Sequence, residues 1–189
     1  MGFRPASLAE LSDLPVELDP KYWRQKSNLS ERICNALKIV ESGYAEQILK
    51  RTKSKLKARV FRKLFDALSF FRRSFRQTAD STEGVVNLAI AFEVLLTDSY
   101  SRGIDDHIHR RASLALKGVR GRSSMLDSLE GLYKARSEYV HAGRTNTNVD
   151  VDGARKAFTR AFLELVERLD KLPQRSSQPI GTILGDVNK

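Results

Sequence analysis

The chain has very little cysteine, since Cys34 is the only one among its 189 residues. A single thiol excludes an internal disulfide and a cysteine-rich zinc site. His107 and His109 are close together in the sequence, but they have too few further ligands nearby for a metal site. We therefore expect no metal and no other cofactor. The scarcity of cysteine also fits a reducing compartment such as the cytoplasm.

Long apolar runs are also missing. No stretch approaches the roughly 18 apolar residues that a membrane span needs. Residues 1–7 lack the apolar core of a signal peptide, and Ala6 stands where a myristoylation signal needs Ser or Thr. Hydrophobic residues make up 41% of the chain, which is enough to bury a core at this length. We expect a globular cytoplasmic protein without a membrane partner.

Proline is scarce and lies only near the two ends of the chain, before residue 21 and after residue 172. Between these ends, apolar residues recur at intervals of three and four, which is the period of an α-helix. The pattern predicts an all-α fold, an antiparallel helical bundle, with helices over 29–42, 45–77, 82–98, 105–117, 124–141 and 152–171. The helix over 45–77 is predicted to be either continuous or broken near 52–57.

The same pattern predicts how the chain is divided. We expect an irregular N-terminal segment over 1–27, a basic helical extension over 28–57, the bundle itself over 58–172 and a flexible tail over 173–189. Pro173 is the residue that stops the last long helix.

Positive charge is concentrated in one region. The net charge is +10, and between Glu46 and Arg76 eleven lysines and arginines accompany only two acidic residues. Such a region is either a solvated helix face or a surface for a nucleic-acid backbone, with an anionic membrane as a weaker alternative. The candidate nucleic-acid-binding residues are Lys50, Arg51, Lys53, Lys55, Lys57, Arg59, Arg62 and Lys63, with Arg120 and Arg122 in a later basic loop.

The predicted helix over 124–141 carries a charge inside its apolar stripe. Arg136 falls near the middle of that stripe. A guanidinium keeps its charge, and leaving it dry and unpaired costs several kcal/mol. Arg136 therefore needs a carboxylate, a wet cleft or an anionic ligand, and Glu93 is the natural internal carboxylate. The stripe consists of Met125, Leu129, Leu132, Arg136 and Val140.

The segment from Arg136 to His141, with the sequence RSEYVH, matches the R-x4-6-H signature of HEPN domains. Ser137 supplies the polar residue that often follows the arginine. Arg102 and His107 have the same spacing, but Gly103 and two aspartates between them indicate a loop and a helix start. We therefore do not assign a site to that second pair.

The wider context resembles the Apea-like HEPN branch in particular. A helix such as residues 89–96 comes first, one such as 110–116 follows, and a block of the form LY..RS..VH.G begins at Leu132. The resemblance covers about residues 58–172. It implies a HEPN-like helical bundle, here with an N-terminal helical extension.

The resemblance also implies a metal-independent endoribonuclease. In such a reaction the ribose 2′-hydroxyl attacks the neighbouring phosphate, so the substrate supplies the nucleophile. His141 would move the proton, and Arg136 would stabilise the charge that develops on phosphorus. Ser137 is a candidate for positioning a water or the phosphate, Tyr133 for stacking on a base, and Glu93 for supporting Arg136. One histidine is few for both acid and base, so we expect a homodimer with a shared cleft.

Many HEPN-like domains are instead non-catalytic scaffolds that bind RNA, a nucleotide or a protein partner. In that alternative Arg136 pairs with Glu93, and His141 caps a helix end. The setting that the resemblance implies is a prokaryotic toxin or an anti-phage defence component, with an antitoxin or another regulatory protein as a possible partner. RNA is the expected ligand of the catalytic form.

Overall fold

The structure, a computed structural model, describes residues 27–50, 54–76, 81–99, 104–143 and 149–186. All regular elements in these ranges are helical, which confirms the predicted all-α class. The α-helices are α1 (Ser27–Tyr44), α2 (Lys55–Arg73), α3 (Thr82–Leu96), α4 (Ile104–Ala115), α5 (Arg122–Ala142), α6 (Val151–Glu167) and α7 (Pro179–Leu184). A π-helical turn (Ala45–Leu49) follows α1, and a 3-10 turn (Leu169–Lys171) follows α6.

Helix α3 lies at the centre of the fold because it is apolar on nearly every side. Leu88, Ala91, Phe92 and Leu96 are all fully buried. The helix contacts α2, α4, α5 and α6. The ring of Phe92 packs edge-on against Phe158 of α6, with centroids 5.4 Å apart.

Short polar side chains begin three of the helices. Ser54, Ser81 and Asp150 precede α2, α3 and α6, and each accepts a hydrogen bond from the backbone N–H three residues later, at 3.4, 3.0 and 2.9 Å. These bonds satisfy donors that the first helical turn leaves unpaired. Helix α5 ends at Gly143, whose φ of +61° lies in the left-handed region that favours glycine. The predicted helix over 45–77 is therefore interrupted, because α2 begins afresh after Ser54.

Helix α1 belongs to the common core. Ala36 and Val40 are buried in it, and α1 contacts both α2 and α6. Arg32 donates hydrogen bonds to both carboxylate oxygens of Glu167, at 2.7 and 2.8 Å, and one to Glu164 at 3.2 Å. The described part of the predicted extension over 28–57 is thus attached to the bundle along its length.

The prediction of a flexible tail over 173–189 is wrong for residues 173–186. Helix α7 lies within this segment, and its Ile180, Ile183 and Leu184 are buried. Their spacing gives even a helix of six residues one apolar face. The carboxylate of Asp98 accepts hydrogen bonds from the backbone N–H groups of Ile180 and Gly181, at 2.8 and 3.1 Å. Residues 187–189 lie outside the described ranges, as does the predicted irregular segment up to residue 26.

Candidate functional site

The C-terminal turns of α5 leave the core. Leu129 and Leu132 are buried, but Tyr139 is 40% exposed and Val140 is 57% exposed. His141 in the same turn is also exposed. The apolar stripe predicted for this helix is therefore buried at Leu129 and Leu132, and its last part forms surface.

Arg136 lies where the stripe reaches the surface, and 31% of its side chain is exposed. Its Nη2 lies 3.0 Å from Oε1 of Glu93 on α3. That oxygen is buried and accepts no hydrogen bond of good geometry, so the contact is an ion pair without a directed hydrogen bond. The pair that the sequence predicts for Arg136 is present in the structure.

Burial determines the electrostatics around this ion pair. It raises the pKa of Glu93, the positive charge of Arg136 opposes that rise, and the negative charge of Asp105 adds to it. Burial also raises the pKa of Tyr133 well above its ordinary value, and the charge of Glu93 adds to that effect. The Tyr133 hydroxyl donates a hydrogen bond to the carbonyl of Ala89 at 3.1 Å. Tyr133 therefore joins α5 to α3 and is not exposed for stacking on a base, contrary to the prediction.

Arg136 and His141 do not share a face of α5. The helix continues through Ala142, so a separation of five residues places the two side chains about 140° apart around the axis and about 7.5 Å apart along it. Ser137 is exposed next to Arg136. In the part of the chain that the structure describes, His141 has no hydrogen-bond or charge partner.

The predicted nucleic-acid-binding residues fall into two groups. Arg51 and Lys53 lie outside the described ranges. Among the described residues, one group is exposed and makes no ion pair or hydrogen bond through its side chain. This group consists of Lys50, Lys55, Lys57, Arg62 and Arg120. It leaves charge available to an external anion.

The other group consists of residues whose side chains bond to other parts of the protein or are partly buried. Arg59 donates hydrogen bonds to the carbonyls of Ser176 and Ser177, at 3.2 and 3.1 Å. Burial lowers the pKa of Lys63, although the negative charge of Asp98 opposes this shift. Arg122 donates a hydrogen bond from Nε to the carbonyl of Ser113 at 3.3 Å. The candidate surface is thus smaller than the sequence predicts.

A buried charge network on α4 escaped the sequence analysis. Only 1% of the Arg111 side chain is exposed. Its Nη1 lies 2.8 Å from Oδ2 of Asp98 and donates to the Leu96 carbonyl at 2.7 Å, and its Nε lies 2.8 Å from Oδ2 of Asp186. Arg110 also contacts Asp186, at 3.0 Å. Every charge at the centre of this network has a partner of opposite sign.

The sequence does contain a signal for this network. Arg111 lies on the α4 face that carries the buried residues Ile108 and Ala115, so it is a charge in an apolar stripe like Arg136. His107 lies beside the network, where burial and the charge of Arg111 lower its pKa. Its spacing partner Arg102 lies outside the described ranges.

Comparison of the chain with protein-family models, curated proteins and solved structures finds no match. The resemblance to HEPN domains therefore depends on the ordered sequence blocks alone. None of the described helices is long and apolar enough to cross a membrane. The described residues also contain no group of three or more His, Cys, Asp or Glu side chains arranged to hold a metal ion.

Proposed function

We propose that the protein is a metal-independent endoribonuclease of the HEPN type, built on a HEPN-like antiparallel bundle. The observation that carries this proposal is the exposed His141 in the last turn of α5, which has no partner among the described residues and lies five residues after the partly exposed Arg136. An exposed imidazole is able to exchange protons with a bound ligand. The guanidinium of Arg136 is able to hold a phosphate.

The reaction needs no nucleophile from the protein. The ribose 2′-oxygen forms a bond to the adjacent phosphorus, and the bond from phosphorus to the 5′-oxygen breaks. His141 accepts the 2′-hydroxyl proton or donates one to the leaving 5′-oxygen. Arg136 keeps donors besides the Nη2 that faces Glu93, and these stabilise the charge on the phosphate oxygens. The products are a 2′,3′-cyclic phosphate and a 5′-hydroxyl.

A second copy of the chain completes the proposed site. Because Arg136 and His141 point about 140° apart within one helix, a phosphate held by one Arg136 is better reached by the partner's histidine. The exposed Tyr139 and Val140 beside His141 provide apolar surface for such a dimer. Two histidines in one cleft also supply the acid and the base that a single chain lacks.

The test uses purified protein and mixed RNAs, with wild type compared with His141→Ala in the presence of EDTA. Wild type should produce fragments that end in a 2′,3′-cyclic phosphate, and His141→Ala should produce them at least about 100-fold more slowly. Loss of wild-type cleavage on chelation, restored by magnesium, would contradict the proposed mechanism. The expected setting is the cytoplasm of a prokaryote, as a toxin or anti-phage defence component controlled by an antitoxin or another protein.

One observation favours a second candidate function, a non-catalytic scaffold that binds RNA, a nucleotide or a protein. The Arg136–Glu93 ion pair gives the arginine a structural role that needs no ligand. In that case the wild-type protein and His141→Ala would bind RNA equally and neither would cleave it. The same RNA incubation, analysed for both binding and fragments, separates the two functions.

A further inference from the structure

An aromatic stack lies on the protein surface where α1 meets α2. The rings of Tyr44 and Phe65 are stacked, with centroids 4.4 Å apart and planes inclined by 26°. Phe65 is nevertheless 45% exposed. Because Tyr44 covers one face of the Phe65 ring, the exposed area lies on the ring edge and the opposite face.

Close helix packing holds this stack in place. A Cβ atom at Gly43 would collide with the ring of Phe61, so glycine at this position lets α2 come near to α1. Phe61 packs against the hydrophobic core, one turn before Phe65 on α2. Phe65 is thus presented by two helices that are fixed against each other, which reduces the entropy cost of binding a ligand to it.

A second exposed phenylalanine, Phe75, differs from Phe65 because a cation already lies on its ring. Phe75 is 38% exposed, but the guanidinium carbon of Arg155 lies 4.0 Å from its ring centroid. Phe71 also packs edge-on against Phe75, with centroids 5.1 Å apart. Among the described residues, Tyr44 is the single aromatic or cationic group that stacks on Phe65. Among the described residues no second ring or cation stacks on Phe65, whereas Phe75 already has a cation on its ring.

Unpaired positive charge precedes Phe65 along α2. Arg62 is exposed, lies one turn before Phe65, and pairs with no described residue. The rise between them is about 4.5 Å, and they lie about 60° apart around the helix. Lys55 and Lys57 extend the exposed charge towards the start of α2. The nearest acid in the sequence, Asp66, lies about 100° further round the helix from Phe65.

We propose that Phe65, backed by Tyr44, is a stacking site for an unpaired base of a single-stranded nucleic acid. Phosphates on one side of that base contact Arg62 and, further along the strand, the lysines at the start of α2. Proteins bind single strands by combining an aromatic ring with a row of cations. The ring stacks on the π face of a base, and the cations contact the charged phosphates. This site deepens the proposed function and relies on it only for the class of ligand.

Charge favours a nucleic acid over a protein partner at this surface. An apolar protein segment would leave Arg62, Lys55 and Lys57 without counter-charges, whereas a strand supplies one phosphate per nucleotide. The exposed ring of Phe65 by itself is a small apolar area for a stable protein interface. It is large enough for one base, because base–aromatic stacking contributes at each ring separately.

The test compares a short oligo(dA) strand with an abasic deoxyribose strand of equal length and charge. Both strands lack the 2′-hydroxyl, so the proposed cleavage reaction cannot consume them. Wild type should bind oligo(dA) about fivefold more tightly than the abasic strand, or better, which is the scale of one base stacked on an aromatic ring. Phe65→Leu should reduce this ratio to about one without changing affinity for the abasic strand.

Two variants control for the fold and for unspecific loss of an aromatic. Phe65→Tyr keeps the ring and should keep the ratio, and Phe75→Leu removes a covered ring and should also keep it. Tm values for all variants identify any that are unfolded. If Phe65→Leu is unfolded, Phe65→Tyr is compared with Phe65→Ile instead.

Three results would overturn the stacking site. One is a Phe65→Leu protein that keeps the preference for oligo(dA), and another is a wild type that binds both strands equally. The third is a change of oligomeric state in Phe65→Leu by sedimentation, which would assign the ring to a protein interface. Base preference without RNA cleavage would support this site and count against the ribonuclease. RNA cleavage without base preference would support the ribonuclease and count against the stacking site.

Discussion

Nε of Arg111 lies 2.8 Å from Oδ2 of Asp186, although the two residues are 75 positions apart in the sequence. This contact ties the C-terminal segment to α4. Burial alone would raise the pKa of Asp186, but the hydrogen bond from Arg111 and the charges of Arg110 and Arg111 lower it below its ordinary value. The carboxylate therefore remains ionised, and the buried arginine keeps a counter-charge on the α7 side.

Asp186→Asn should destabilise the protein by about 3 kcal/mol, because removing one partner leaves part of a buried charge uncompensated. Asp98 still contacts Arg111, which keeps the loss from being larger. Urea unfolding gives the free energy, and Asp170→Asn is the control because Asp170 is exposed. Equal stability of the two variants would mean that the C-terminal contact contributes little.

The same carboxyl predicts a pH dependence. Its pKa is lower in the folded than in the unfolded protein, so its contribution is complete above the unfolded value of 3.8. The contribution is lost as pH falls below 3.8 and through the lower folded pKa. The stability difference between wild type and Asp186→Asn should therefore shrink with acidification in that window. A difference that is constant down to the acid transition would contradict the shift.

The contribution of Glu93 to stability should depend on pH in the opposite direction. Its folded pKa is raised by burial above the ordinary 4.5, so its stabilising contribution is present below pH 4.5 and lost as pH rises through the folded pKa. Unfolding free energies of wild type and Glu93→Gln, measured over this range, should diverge in favour of the variant as pH increases. Glu130→Gln, at an exposed position on α5, should show no such trend. A divergence in favour of wild type would mean that Arg136 outweighs burial at this carboxyl.

Substitutions at Arg136 and His141 should affect stability and catalysis differently. His141→Ala should leave Tm unchanged because the side chain is exposed, while cleavage falls by about 100-fold or more. Arg136→Ala leaves the buried Glu93 oxygen without its cation and should cost about 1 to 3 kcal/mol. Adding Glu93→Gln to Arg136→Ala should recover most of that stability but no cleavage. If the double variant cleaves RNA, Arg136 has only a structural role.

Sequence periodicity was sufficient for the long helices and for one site contact. Helix α3 is apolar all round, so its central position follows from its sequence alone. The charge of Arg136 required a carboxylate, a wet cleft or an anionic ligand, and Glu93 was the internal carboxylate that the sequence offered. Helix α7 was missed because six residues are too few to establish a period. Its position depends on Asp98 and Asp186, which meet Arg111 only after the chain has folded. The sequence also could not show which basic residues bond within the protein, because the carbonyl partners of Arg59 lie more than 100 residues away.

The basic surface on α2 should contribute to RNA affinity through phosphate contacts. Lys55 and Lys57 are exposed and unpaired among the described residues, whereas Arg59 holds the C-terminal segment and is left intact. Replacing both lysines with glutamine should weaken binding of single-stranded RNA and reduce the slope of log affinity against log salt concentration by about 1.4, at about 0.7 for each lost contact. The matched control replaces Lys117 and Lys171, which are exposed on other elements. If the control lowers the salt slope as much as the α2 pair does, RNA binding follows overall charge and α2 is only a solvated face. A reduced slope confined to the α2 pair, with cleavage remaining at saturating RNA, would identify α2 as a binding surface separate from the reactive residues.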